Sequence, residues 1–315
     1  MQKLLVREIV QQTAEIKSFE LVHPEGRELA PFTAGAHVDV HVPGGLCRQY
    51  SLCNDPRQRR RYLLGVLNVR DGRGGSAAMH SRVAVGDMLE VSAPRNHFPV
   101  CHQARRHLLI AGGIGITPIL AMVHELRNVG ASFAMHFCTR SPAQTPFLRE
   151  LAPLIDAGIV RCHYDGGDCA KGLDVRALLR VPMEGTHVYC CGPAGLMTAV
   201  AEAGAHWPQG SVHFEHFKAD APPATLADDS DFVIQLARSG VELPVPKGKS
   251  IVHVLREAGF NPETSCESGL CGTCKTRYLE GAPEHHDYVL STQERAEYLM
   301  VCCARSKSLV LVLDL

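Results

Sequence analysis

Three closely spaced cysteines and one distant cysteine could hold an iron–sulfur cluster. Cys266, Cys271 and Cys274 follow the spacing C-x4-C-x2-C, and Cys302 lies 28 residues beyond Cys274. Two sulfide-bridged irons need four thiolates, and this spacing is the plant-type pattern for a 2Fe–2S cluster. Two glycines inside the loop let backbone N–H groups turn toward the cluster sulfurs. The spacing therefore predicts that these four cysteines ligate a 2Fe–2S cluster.

A zinc site is the alternative for the same cysteines. Zinc sites favour paired C-x2-C motifs, so a C-x4-C spacing with one remote cysteine is atypical of them. His285 and His286 could complete a zinc site, although an exposed loop explains them equally well. Cys303 competes with Cys302 for the fourth ligand position. We choose Cys302 because it is followed by Arg305 in a Cys-x-x-Arg pattern that resembles the one after the last ligand of related ferredoxins.

A glycine-rich turn in the middle of the chain could bind phosphate. Gly113, Gly115 and Thr117 lie in the segment GGIGITP, between a predicted strand and a predicted helix. Glycines let a backbone approach phosphates, and a helix N-terminus offers free N–H groups. Pro118 occupies the slot of the last glycine in the dinucleotide fingerprint and suits the first helical position. No acidic residue follows the second strand, which ends near Arg140, so the standard dehydrogenase fingerprint is incomplete.

Two further short segments contain residues whose chemistry is suitable for binding a ligand. Cys191, Gly192 and Pro193 follow a predicted strand and precede a helix, where open α/β sheets bind ligands. The other segment is the strand motif RQYSL, and its candidate residues are Arg48, Tyr50, Ser51 and Leu52. Arginine can pair with phosphate, tyrosine can stack on a ring, and serine can hydrogen-bond a ring nitrogen.

The elements that must position these motifs fall into three regions. Residues 1–102 contain short β-prone runs about ten residues apart, which predict an antiparallel barrel or sandwich. Residues 103–218 alternate strands and helices, which predicts a doubly wound parallel sheet. A linker covers 219–229, and a cysteine-bearing module covers 230–315.

Composition excludes several classes of protein. Hydrophobic residues make up 45% of the 315 residues and charged residues 21%, which is typical of a folded globular protein. The net charge of −1 argues against nonspecific nucleic-acid binding. No apolar stretch is long enough to span a membrane, and no signal peptide is evident, so we expect a cytoplasmic protein. The C-terminal module is acidic, with 13 acidic and 9 basic residues from Asp228 onward.

The RQYSL motif, the glycine-rich turn and the cysteine cluster, in that order along the chain, together resemble the ferredoxin–NADP reductase superfamily. The chain is most similar to reductases of the phthalate dioxygenase and vanillate O-demethylase type. That resemblance implies a multidomain fold with an antiparallel β-barrel flavin domain, an α/β NAD domain and a β-grasp ferredoxin domain.

The resemblance also implies roles for particular residues. Arg48, Tyr50, Ser51 and the adjoining Leu52 match the flavin motif, and Gly74, Gly75 and Ser76 match the turn and helix start that hold the flavin phosphate, with Ser76 as the helix N-cap. Gly113, Gly115, Thr117, Cys191, Gly192 and Pro193 match the pyridine-nucleotide segments, and Phe217 matches an aromatic beside the flavin. Ser51 and Cys191 would flank the hydride path.

The implied activity is electron transfer. NADH would reduce FMN, FMN would pass single electrons to the 2Fe–2S cluster, and the cluster would reduce a transiently bound Rieske-type terminal oxygenase. We expect a monomer that binds neither nucleic acid nor membrane. Two other interpretations are a zinc-stabilised flavin module without electron transfer to a partner and a stand-alone NADH oxidase with a vestigial cluster.

Overall fold

The structure is a computed structural model that describes residues 1–69, 72, 74–217, 230–264, 267, 269 and 272–315. The predicted linker 219–229 and two of the predicted cluster ligands, Cys266 and Cys271, lie outside the described residues. The described chain divides into two compact units, Met1–Glu215 and His216–Leu315.

The first unit begins with an antiparallel sheet whose strands follow the spatial order β4-β3-β6-β1-β2-β5, with β7 paired to β3. The strands are β1 (Gln2–Gln11), β2 (Ile16–Val22), β3 (Ala36–Val42), β4 (Leu46–Ser51), β5 (Tyr62–Leu67), β6 (Met88–Val91) and β7 (Arg95–Asn96). An antiparallel bridge between Leu52 and Leu64 connects the two ends of this order. The sheet is therefore a nearly closed barrel, as predicted, and closure protects strand edges that would otherwise be exposed.

Alternating apolar residues form the interior of the barrel. Phe19, Val38, Leu64 and Val91 are all fully buried. Helix α1 (Gly75–Arg82) contributes the buried Met79 to the same core.

The predicted N-cap of α1 is wrong. Gly74 occupies the cap position in a left-handed conformation, with φ 79°. Ser76 lies inside the helix, where its hydroxyl accepts a hydrogen bond from the Val69 amide at 3.1 Å. Glycine suits this position because it has no Cβ to oppose a positive φ.

A five-stranded parallel sheet follows, in the spatial order β10-β9-β8-β11-β12. Its strands are β8 (Arg106–Gly112), β9 (Phe133–Thr139), β10 (Val160–Tyr164), β11 (Thr186–Cys191) and β12 (Val212–Glu215). Its helices are α2 (Ile116–Asn128), α3 (Leu148–Asp156), α4 (Val175–Leu179) and α5 (Ala194–Ala203). The predicted doubly wound topology is confirmed, since parallel neighbours require crossover connections.

Apolar side chains cover both faces of this sheet. Leu109 and Phe137 belong to one buried cluster, and Leu108 and Val188 belong to another. The first cluster also contains Phe98 from the segment after β7, so the barrel and the parallel sheet share a core. The barrel and the parallel sheet therefore form one compact unit.

The start of one helix and the presence of one strand differ from the sequence prediction. Helix α2 begins at Ile116, not Pro118, because a short 3-10 turn over Gly113–Gly115 leads directly into it. Pro118 still lies in the first turn, where a missing N–H is tolerated. Strand β12 was not predicted at all.

The second unit contains a mixed sheet in the order β14-β13-β19-β15-β17. Its elements are β13 (Phe232–Leu236), β14 (Glu242–Val245), α6 (Ile251–Glu257), β15 (Lys275–Glu280), β16 (Pro283–Glu284), β17 (Tyr298–Met300), β18 (Arg305–Ser306) and β19 (Val310–Leu313). Helix α6 places Ile251 and Leu255 in the core against this sheet. A β-hairpin, a packed helix and a parallel return strand are the β-grasp arrangement that the resemblance implied.

No helix in the described part of the chain is long and apolar enough to cross a membrane.

Candidate functional site

The phosphate end of the predicted flavin site is formed where β4 meets α1. If Gly75 had a Cβ, that atom would lie 2.4 Å from Cγ of Arg48. The Arg48 side chain therefore packs against the first residue of the helix, and only glycine leaves room for it. A guanidinium next to a helix N-terminus suits a phosphate, because both present N–H donors and positive charge. The local structure fits a flavin phosphate at this position.

The opposite end of β4 meets the edge of the parallel sheet. The hydroxyl of Ser51, which is 4% exposed, lies 3.4 Å from Oε2 of Glu215 on β12. Glu215 is the register partner of Cys191 on the neighbouring strand β11. Ser51, Cys191 and Glu215 therefore meet at one place, although they come from three strands.

Burial changes the ionisation of this group. Desolvation raises the pKa of Glu215 to about 8, despite the opposing hydrogen bond from Ser51. Burial also raises the pKa of the Cys191 thiol well above its ordinary value, and the Glu215 carboxylate adds to that effect. Cys191 is consequently a neutral thiol near pH 7. This state agrees with a packing role and not with a nucleophilic thiolate.

Sequence reasoning missed Glu215. The usable signal was an acidic residue at the carboxyl end of a strand next to Cys191, where open α/β sheets place functional groups. The strand is short, and the aromatic residues Phe214 and Phe217 close to Glu215 indicate aromatic contacts instead.

The glycine-rich turn packs directly against the segment after β11. A Cβ on Gly115 would lie 2.2 Å from the carbonyl oxygen of Cys191, and a Cβ on Gly112 would lie 2.6 Å from Cδ of Pro193. A Cβ on Gly192 would lie 3.0 Å from the backbone of Gly112. These glycines therefore let the two loops touch at the carboxyl edge of the sheet.

Gly113 behaves differently from its neighbours. It has φ 52°, and a Cβ there would meet nothing within 4 Å. The turn thus leaves open space at Gly113, ahead of the α2 N-terminus. That combination fits the phosphates of a pyridine nucleotide.

Several predicted contact residues are largely or wholly buried. Thr117 is 2% exposed, and its hydroxyl donates to the carbonyl of Ile114 at 3.1 Å. Leu52 is fully buried in the barrel core. Tyr50 is half-buried against the same core, and burial raises the pKa of its phenol. Thr117 therefore stabilises the site through its hydrogen bond, and Leu52 stabilises it through packing in the barrel core.

Phe217 is 43% exposed and belongs to the second compact unit. Its predicted contact with the flavin stays a prediction.

The described part of the cluster site brings two predicted ligands together. Cys274 and Cys302 are 4% and 7% exposed. Hydrogen bonds from the thiols of Cys274 and Cys303 lower the pKa of Cys302, and the amide of Gly269 donates to its Sγ at 3.3 Å. Cys303 has the opposite tendency, since the hydrogen bond with Cys302 and burial raise its pKa. The burial of Cys302 beside Cys274 and the hydrogen bond that its sulfur accepts from Gly269 fit Cys302 as a ligand, since amide hydrogen bonds stabilise a ligating thiolate.

The two histidines considered for zinc have other neighbours. Nδ1 of His285 lies 3.6 Å from Asp287, and Nε2 of His286 lies 3.6 Å from Glu284. Within the described residues, no three histidine, cysteine or acidic side chains gather around a common point suitable for a metal ion.

Comparison with known proteins identifies the modules. The family model of the 2Fe–2S iron–sulfur cluster binding domain matches residues 234–307. The reductase subunit of tert-butanol monooxygenase / tert-amyl alcohol desaturase from Aquincola tertiaricarbonis is 49% identical, over 99% of this chain and 95% of that protein. The vanillate O-demethylase oxidoreductase of Pseudomonas sp. (strain HR199 / DSM 7063) is 44% identical, over 96% of each chain.

A solved structure of phthalate dioxygenase reductase matches with a TM-score of 0.76 and 43% identity, over 100% of this chain and 98% of that chain. That protein is described as a modular structure for electron transfer from pyridine nucleotides to [2Fe–2S]. The predicted pyridine nucleotide and 2Fe–2S cluster agree with that description. The chain therefore belongs to the phthalate dioxygenase reductase family and is an oxidoreductase that transfers electrons through a flavin and a 2Fe–2S cluster for an oxygenase system.

Proposed function

We propose that this chain is the reductase component of a Rieske-type oxygenase and passes electrons from NADH through FMN and the 2Fe–2S cluster to that oxygenase. The observation that carries the proposal is the meeting of Ser51, Glu215 and Cys191 between barrel and parallel sheet, on a chain that also has a 2Fe–2S module. The relatives named above are reductases of oxygenase systems, which supports an oxygenase as the electron acceptor.

Each half of the proposed site has a defined task. Arg48 and the α1 N-terminus would hold the flavin phosphate, and the Ser51 hydroxyl would form a hydrogen bond to the flavin ring. Gly113 would leave room for the nucleotide phosphates, and Cys191 and Gly192 would lie near the nicotinamide. Bound flavin supplies the conversion of a two-electron hydride into single electrons.

Glu215 is suited to hold a proton beside Ser51. With its pKa raised to about 8, the carboxyl is protonated near pH 7, and it is therefore able to donate or accept a hydrogen bond there. A neutral carboxyl also avoids placing an uncompensated negative charge next to an incoming hydride.

For the cluster, Cys266, Cys271, Cys274 and Cys302 are the proposed ligands. The buried Cys274 and Cys302 and the Gly269 amide support this set. Cys303, which follows Cys302 in the chain, is not one of the proposed ligands.

The cofactor choices rest on separate features. FMN is favoured over FAD because the turn before α1 provides one phosphate site and no stacking aromatic for adenine is evident in the sequence nearby. NADH is favoured over NADPH by the resemblance, although the exposed Arg140 after β9 could pair with a 2′-phosphate. Released flavin should co-migrate with FMN, and kcat/KM should be higher with NADH. Recovery of stoichiometric FAD, or a preference for NADPH, would overturn the respective choice.

The experiment for the function as a whole uses the purified full chain. Its visible spectrum should combine flavin bands with a broad iron–sulfur band, and NADH should bleach both. A colourless or purely yellow zinc protein would instead support the zinc-stabilised flavin module. NADH consumption that runs at full rate on oxygen alone, with no electron delivery to any added acceptor protein, would support the stand-alone oxidase.

The partner is tested by affinity capture and by reconstitution. The captured protein should have a Rieske electron paramagnetic resonance signal that this chain and NADH reduce. Capture and reduction of an oxygenase lacking that signal would contradict the Rieske assignment. Sedimentation should show a monomer in the absence of the partner.

A further inference from the structure

A buried acidic side chain lies against the cluster loop without a role in the ligand set. Asp287 follows β16 in the second unit, and its side chain is 0% exposed. Its Oδ2 accepts hydrogen bonds from the amides of Leu290 at 2.8 Å and Val289 at 3.3 Å. Its Oδ1 is buried and makes no hydrogen bond within the described residues. Burying a carboxylate is costly, so its retention at this place calls for a reason.

Asp287 packs on the residue that donates to the cluster sulfur. A Cβ on Gly269 would lie 3.0 Å from Cα of Asp287, and the adjacent Tyr288 amide donates to the Gly269 carbonyl at 3.0 Å. The amide of the same Gly269 donates to Sγ of Cys302 at 3.3 Å. Gly269 therefore packs against the backbone of Asp287 and also donates to the proposed cluster ligand Cys302.

Among the described residues, Asp287 forms ion pairs with Arg295 and, when that ring is protonated, with His285. Nη2 of Arg295 lies 3.5 Å from Oδ2 of Asp287 and donates to the Asp287 carbonyl at 2.8 Å. Arg295 is 41% exposed, so water screens its charge far more than that of Asp287. Burial lowers the pKa of His285, which keeps that ring neutral near pH 7. Water therefore screens the negative charge of Asp287 less than the positive charge of Arg295.

We propose that Asp287 and Arg295 set the reduction potential of the 2Fe–2S cluster in opposite directions. Reduction adds one electron from the flavin to the cluster and makes it more negative. A buried carboxylate nearby disfavours that added charge, and a cation favours it, since charges interact strongly where water is excluded. Asp287 thus keeps the cluster strongly reducing, and Arg295 moderates its effect.

This inference rests on the proposed function, because it requires the cluster. The test is an anaerobic spectroelectrochemical titration of the full-length holoprotein, without any oxygenase. Asp287→Asn should shift the cluster potential to a more positive value, and Arg295→Gln should produce a smaller shift to a more negative value. Arg295→Lys keeps the charge and should restore the wild-type potential.

A matched control is the exposed ion pair between Glu297 and Arg277, whose side chains are 59% and 52% exposed. Glu297→Gln removes the same charge in the same module, and the potential should stay at the wild-type value because water screens this pair. The flavin potential should be unchanged in every variant.

The outcomes separate the inference from the function on which it rests. A wild-type protein without a 2Fe–2S signal would overturn the proposed function itself. If the wild-type protein has the cluster but Asp287→Asn and Arg295→Gln shift its reduction potential in the same direction, the inference is overturned. Removing opposite charges must shift the potential in opposite directions, whereas distortion of the loop has no such dependence on charge. If Asp287→Asn fails to retain the cluster, Arg295→Gln decides alone: a more negative potential supports the proposal, and an unchanged or more positive one overturns it.

Discussion

In the first unit, Ser51 and Glu215 are 164 residues apart in the chain, yet their side chains lie 3.4 Å apart. In the second unit, Gly269 and Cys302 are 33 residues apart, and one loop supplies most of the proposed cluster ligands. The first site depends on how a barrel and a parallel sheet pack, whereas the second depends on sulfur chemistry in a loop. Changes in packing should therefore damage the first site, and changes in ligand identity should damage the second.

The largest expected effect comes from removing one thiolate. Cys302→Ser should abolish the iron–sulfur absorbance, because four thiolates are needed and Cys302 is the proposed fourth. Cys303→Ser should retain it. NADH should still reduce the flavin in Cys302→Ser, since hydride transfer does not use the cluster, while cytochrome c reduction should fall sharply. Retention of the cluster in Cys302→Ser with loss in Cys303→Ser would reverse the ligand assignment.

The second effect concerns packing in the first unit. Gly115→Ala would place a Cβ 2.2 Å from the Cys191 carbonyl oxygen, so the two loops must separate. We expect a loss of about 1–3 kcal/mol in the free energy of unfolding and weaker NADH binding. Gly195→Ala in α5 is the control, because a Cβ there meets nothing within 4 Å. Equal stability of the two variants in denaturant titrations would refute the close-contact argument.

The third effect is a pH dependence that belongs to the first unit alone. The pKa of Glu215 is raised from 4.5 to about 8, so the folded state holds its proton after the unfolded state has lost it. Wild-type stability should therefore fall as pH rises through that interval, relative to Glu215→Gln, by up to a few kcal/mol for this half-buried group. Thermal unfolding at a series of pH values measures the difference. Parallel pH profiles for the two proteins would show that Glu215 is not held protonated.

The smallest effect concerns the acidic surface of the second unit. Glu263 is exposed, whereas Glu267 pairs with Arg256 at 2.6 Å. Glu263→Lys should slow electron delivery to the oxygenase roughly threefold at low salt and much less at high salt, because salt screens docking charges. Glu184→Lys makes the same charge change in the first unit and serves as the control. A delivery rate that salt leaves unchanged would indicate apolar docking.

Much of the architecture was predictable from local patterns. Short β-prone runs predicted the barrel, and alternation of strand and helix predicted the parallel sheet. The exceptions arose from tertiary contacts. Ser76 was expected to cap α1, but Gly74 occupies the cap because the chain turns there with a positive φ. Strand β12 was missed because four residues alone contain little periodicity, and the neighbouring β11 stabilises it.

The amino-acid sequence by itself determined the cofactor chemistry. Spacing of cysteines and glycines along a short segment dictates which atoms can surround a cluster or a phosphate, since such loops are local. Only the tertiary structure decided which distant groups act together. Ser51 meets Glu215, and Asp287 is buried against Gly269, because packed sheets and loops exclude water at those places. Exclusion of water also raises the pKa of Glu215 and strengthens the expected electrostatic effect of Asp287 on the cluster. The degree of exclusion depends on all the residues packed around each side chain.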